Sequence, residues 1–202
     1  MDKKTMNSCD RFKYNIVALF DIIYEMFEEA KDNGVVNTKL GILSILKICI
    51  NSTNSEKMVK KFIKRTHPYW NKIREKDLDY FREVGLSLFR DYEDNKGIDH
   101  YKNSDKFSDE TDKSFISKLS DDHIKSFKTI LQSSYNDDDG EEVEIFDEER
   151  QKDIWNIMHS FVKISLCYIH ETRKEVDGKY TVECFPEIKV RESAKTWGIK
   201  SI

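Results

Sequence analysis

Turn-forming residues are scarce in this chain: seven glycines and two prolines among 202 residues. A fold of many short strands needs such residues at each reversal, so the scarcity favours helices. It also leaves little material for a phosphate-cradling loop, and no Gly-rich loop, Gly-x-Gly fingerprint or glycine-flanked serine occurs. Long apolar runs are missing too. The best candidate, 40–50, is interrupted by Gly41, Ser44 and Lys47 and falls short of the ~18 residues of a membrane span, so a soluble protein is expected. Cys9, Cys49, Cys167 and Cys184 share no close spacing, and no N-terminal apolar run precedes a small-residue cleavage site. Reduced thiols in an intracellular, cytoplasmic protein are expected, with no metal and no cofactor. The net charge of −4 means that the chain as a whole is not a general nucleic-acid binder.

What is present is hydrophobic periodicity. With 38% hydrophobic and 12% aromatic residues, the chain has enough apolar material for one well-buried core, and a single helical domain over 1–202 is the expectation. The stretch 147–174 organises it. Ile154, Trp155, Ile157, Met158, Phe161, Val162, Ile164, Leu166, Tyr168 and Ile169 cover most of a helical circumference, which only a helix buried on several sides tolerates. The remaining stripe carries Asn156, His159, Lys163, Cys167 and His170, the place on this helix where chemistry would sit.

In chain order, Ser8 is placed to cap a first helix whose apolar residues run from Phe12 to Ala30, with Lys31, Asp32, Asn33 and Gly34 as its stop. Asn37 or Thr38 opens a buried helix over 40–50. Residues 52–55 form a turn and cap for a thin amphipathic helix over 55–65, with Met58, Val59, Phe62 and Ile63 inside and a basic outside. Pro68 starts the next helix, which pauses at Asp77 as a fresh cap. A polar loop over 91–108 follows, then helices near 109–119 and 121–132, then a polar loop over 136–146. Beyond the central helix, the Asp177-Gly178 turn and the alternation at Tyr180, Val182, Cys184, Ile188 and Val190 suggest a small hairpin. The tail, 195–202, keeps Trp197, Ile199 and Ile202, residues suited to docking on a partner.

Charge gives the sharpest functional signal. Lys57, Lys60, Lys61, Lys64, Arg65, Lys72, Arg74 and Lys76 face one acid, Glu75, within 57–76, with Tyr69 and Trp70 between them. Such a segment suits phosphates or an acidic protein, and an aromatic there could stack on a base. The stretch 105–149 has the opposite balance, fifteen acids against five lysines, so pairing by charge complementarity, within the chain or with a second copy or partner, is the leading reading and nucleic acid the alternative. Asp137, Asp139 and Gly140 mimic part of a calcium loop, but Tyr135 and Phe146 stand where its first and last carboxylates belong. Cys167 and His170 have helical ligand spacing without a second pair, so neither a metal site nor catalytic residues are expected.

The run 58–89, with its basic helix, His67-Pro68-Tyr69-Trp70, Ile73, Asp77 and Tyr80-Phe81, resembles uncharacterised helical proteins of large DNA viruses that infect protists and algae. The resemblance implies a viral accessory or virion component and brings no catalytic residues. The combined expectation is an all-α domain of about seven helices around the central one, with a small C-terminal hairpin. Its expected role is a non-enzymatic protein–protein interaction or assembly protein, with nucleic-acid binding through 57–76 as the alternative.

Overall fold

The long periodic segments become the helices. The computed structural model describes residues 6–81, 121–172, 174–176, 179–181, 185, 188–200 and 202. In order these form α1 (Ser8–Asp32), α2 (Gly41–Ser52), α3 (Ser55–Thr66), a 3-10 turn (His67–Tyr69) and α4 (Trp70–Glu75). There follow α5 (Asp121–Ile130), β1 (Ser134–Asn136), β2 (Glu142–Glu144), α6 (Glu148–Thr172), β3 (Lys174–Val176), β4 (Lys179–Thr181) and α7 (Val190–Thr196). The fold is all-α, and the β structure among the described residues is two antiparallel hairpins, β1–β2 and β3–β4. Contacts group the chain into two units: Met1–Ile22, Ile50–Lys76 and Glu148–Ile202, and Ile23–Cys49 with Asp77–Asp147.

In the first unit α6 is the central helix that its apolar wheel requires. Trp155, Phe161, Val162, Ile164, Leu166, Tyr168 and Ile169 are buried, and α3, α4 and α7 pack on it. Each such side chain contributes about 1.5–3 kcal/mol through burial. Phe12 of α1, Phe62 of α3 and Phe161 form a trio with centroids 4.6, 5.2 and 5.3 Å apart. Polar ties close the same unit: Ser8 Oγ donates to Glu171 at 2.9 Å, and Asn15 Nδ2 to Ser160 Oγ at 2.8 Å. Lys13 Nζ donates to the carbonyls of Asn51 and Thr53 at 2.6 and 3.0 Å, at the C-terminal end of α2, where a cation suits the last carbonyls of a helix.

The second unit buries Phe27, Leu43, Leu46, Ile130, Ile145 and Phe146. Phe27 and Phe127 stack at 6.1 Å, and Tyr135 donates to Glu29 at 3.0 Å.

Several local expectations need correction. Asn7, not Ser8, caps α1: its Oδ1 accepts from Asp10 N at 2.8 Å, because Ser8 is engaged by Glu171. Thr38 is buried and donates to Ser126 at 2.6 Å instead of capping α2. The expected loop 136–146 is largely a hairpin, with Asn136 opposite Glu142 and with Ile145 and Phe146 buried. Its tip is built by Asp137, whose carboxylate accepts from Asp139 N and Glu141 N at 3.0 and 2.9 Å, and by Gly140 at φ 81°. A C-terminal hairpin is present as β3 paired with β4, but Val190 opens helix α7 instead of ending a strand. The loop expected at 91–108 and the helix at 109–119 lie outside the described residues.

Candidate functional site

Helix α3 begins where the sequence places its cap: Asn54 Oδ1 accepts from Lys57 N at 3.0 Å. Its inner stripe, Val59 and Ile63, is fully buried, so the helix presents its lysines outward. Lys64, Arg74 and Lys76 are exposed; Lys57, Lys60, Lys61, Arg65 and Lys72 are half-buried, as long stems lying along a helix surface usually are. Lys60 Nζ meets Glu56 at 3.0 Å, and Arg74 meets Glu75 at 3.7 Å. Tyr168 also donates to Glu56, at 2.9 Å. The bond from Lys60 and then that from Tyr168 hold the Glu56 carboxyl below its ordinary range.

Of the two aromatics of this segment, Trp70 does not face outward. Trp70 is buried, donates through Nε1 to Thr66 Oγ1 at 3.0 Å, and meets His67 edge-on at 5.2 Å. Tyr69 is half-buried. Trp70 is therefore core, in the stripe that Ile73 continues, and charge dominates the surface of this segment.

The polar stripe of α6 is distributed among separate tasks. Asn156, Lys163 and His170 are exposed. His159 faces the Ile73 carbonyl at 2.9 Å, and since a carbonyl only accepts, Nε2 carries the proton. That carbonyl, in the last turn of α4, also accepts from Lys76 N at 3.2 Å, so His159 is a second donor that ties α6 to α4 at this packing seam. The other side of the ring meets Trp197 edge-on at 5.4 Å. Cys167 and Cys9 both have thiol pKa values pushed up, first by burial; Glu171 adds to both, Glu56 and Asp10 add to Cys9, and Arg11 partly offsets the effect at Cys167. A raised pKa keeps these thiols protonated and weakly nucleophilic. No group of three or more His, Cys, Asp and Glu able to hold a metal occurs among the described residues.

The tail does not project. Trp197 is 7% exposed, Ile199 and Ile202 are half-buried, and the tail's start belongs to α7. Gly198 at φ 65° closes that helix, with Ile199 N bonding Ala194 O at 2.9 Å. The spacing of Val190, Ala194 and Trp197, all buried, was a legible helical signal in a segment read as extended. Trp197 thus packs inside its own chain, which removes it as a partner anchor.

Sequence reasoning missed the outer face of α2. Leu43, Leu46 and Ile50 point inward, while Ile45 and Ile48 are 48% and 68% exposed beside exposed Ser44. With Tyr14 at 51%, these are the exposed large apolar residues among those described. The signal was apolar content all around α2, read as deep burial.

No helix among the described residues is long and apolar enough to cross a membrane. Comparisons with protein-family models, with curated proteins and with solved structures match nothing to this chain. Among the described residues the arrangement thus offers two surfaces, a basic one on α3–α4 and an apolar one on α2.

Proposed function

We propose that the chain is a protein–protein interaction or assembly protein that acts without chemistry of its own. The observation that carries this reading is the outer face of α2, where Ile45 and Ile48 stand one helical turn apart in water. Isolated exposed apolar residues are ordinary, but two bulky β-branched side chains on one exposed helix face suit helix-on-surface packing. If the chain is viral, as the resemblance of 58–89 implies, this face fits a virion or accessory component.

The test is association of the purified chain by sedimentation velocity over a concentration series, alongside Ile45→Glu/Ile48→Glu. Ile45 and Ile48 have about half of their surface left to bury, so the double variant is expected to weaken association by at least about tenfold. A monomer at every concentration, indistinguishable from the variant, would defeat the self-assembly form of this reading. The tail is the wrong place to cut: removing 197–202 takes out a core tryptophan, so its first effect is on stability.

A further inference from the structure

We propose that the outward face of α3 and α4 is a site for the phosphate backbone of a nucleic-acid duplex, read without regard to base sequence. The proposal is independent of the α2 reading. It stands on three observations: charge density, the fate of the apolar residues, and the burial of Trp70.

Eight cations against one acid lie within 57–76, and the packing of Val59 and Ile63 turns the α3 cations to the outside. Lys57, Lys61 and Lys64 share one helical side, in a row about 10 Å long at 1.5 Å per residue. That length matches about three phosphates of one strand at 3.4 Å of axis each. Lys72, Arg74 and Lys76 follow on α4 and its cap. Glu56 and Glu75 hold Lys60 and Arg74 in surface pairs, which contribute little and exchange readily with another anion.

An acidic protein would meet the same charges, so the choice between partners turns on what else the face carries. Protein interfaces centre on an apolar or aromatic anchor and are depleted in lysine. Here Val59, Ile63, Trp70 and Ile73 are buried, and none of the exposed large apolar residues lies in this segment. A lipid surface is disfavoured by the same fact, since an interfacial helix must offer an apolar face to the bilayer and that of α3 is covered by α6. Phosphate oxygens require only the cations. With Trp70 buried and Tyr69 half-buried, little aromatic surface is left to stack on an unpaired base, which favours duplex backbone over single strands and contacts that position without specifying.

Fluorescence anisotropy with a labelled DNA duplex tests the proposal on the full chain. Engagement of about four phosphates gives a salt slope near −3.6, a loss of roughly 100-fold in affinity between about 50 and 200 mM salt. Lys61→Glu/Lys64→Glu/Arg65→Glu is expected to weaken binding at low salt by at least tenfold or so, and scrambling the duplex sequence to change it little. Lys31→Glu/Lys128→Glu, at exposed positions elsewhere, should bind nearly as the parent does, and so should Ile45→Glu/Ile48→Glu, which separates this site from the α2 face. Circular dichroism and thermal midpoints show that each variant is folded. No binding at low salt overturns the proposal, as does binding insensitive to salt or to the triple reversal. Tighter binding to poly-glutamate, or to vesicles rich in anionic lipid, than to the duplex overturns it in favour of those partners.

Discussion

Glu56 condenses the residue-scale argument. It accepts from Lys60 and from the buried Tyr168, and its carboxyl lies below its ordinary range as a result. A carboxylate with a lowered folded pKa contributes stability that is present above its unfolded value, about 4.3, and lost as pH falls through the folded value. Tyr168→Phe removes one of the two bonds and is expected to cost about 1 kcal/mol at neutral pH, since the partner is exposed. The gap between parent and variant should narrow on acidification from about pH 6 towards pH 3.5, read as urea unfolding at each pH. An unchanging gap would mean that the hydroxyl acts through packing and not through the Glu56 charge. Ser165 presents the opposite case, with its Oγ fully buried and without a hydrogen-bond partner. We have no physical account of that hydroxyl. The Glu56–Lys60 pair, four residues apart on one helix, is the kind of contact a sequence displays, whereas the bond from Tyr168 joins residues more than a hundred positions apart and was not legible.

Helices were legible where punctuation and period agreed. Gly34 at φ 71° ends α1, with Val35 N bonding Ala30 O at 2.8 Å, and Asp77 caps the next turn through Tyr80 N at 3.0 Å. Both signals are local, and local chemistry is what a sequence displays directly. Elements were misread where a tertiary contact overrode local preference. The acidic run around 137–141 looks unable to pack, yet Ile145 and Phe146 anchor the strand leaving it. One consequence tests the backbone account. Gly34 has open space where a side chain would stand, so Gly34→Ala introduces left-handed strain alone and should cost about 1 kcal/mol. Lys76 occupies the same backbone region at φ 55° with a side chain, so Lys76→Gly should shift stability the other way by about 0.5–1 kcal/mol. Thermal midpoints moving in the same direction for both would refute it.

At the scale of the molecule, the first unit is assembled from three separated segments, Met1–Ile22, Ile50–Lys76 and Glu148–Ile202. A fragment of residues 1–147 lacks α6 and keeps Trp70 as its single tryptophan of the original three. Its emission is expected to move towards that of indole in water, because the helix that helps bury Trp70 is gone; retained blue-shifted emission would show that α1, α3 and α4 hold together alone. The central role of α6 was legible from its wheel, whereas the grouping of distant segments was not, since nothing in a local pattern says which faces meet. The same discontinuity has a consequence on the ribosome. Phe12, Phe62 and the apolar stripe of α3 are synthesised long before Phe161 and its helix, about 106 residues after Thr66 to the end of α6. At about 5–20 residues per second the nascent chain carries those side chains uncovered for roughly 5–20 seconds. Those seconds are when the chain is most open to aggregation, so holdase supply during expression is expected to raise the soluble yield; an unchanged yield would show that the early segments are not a hazard.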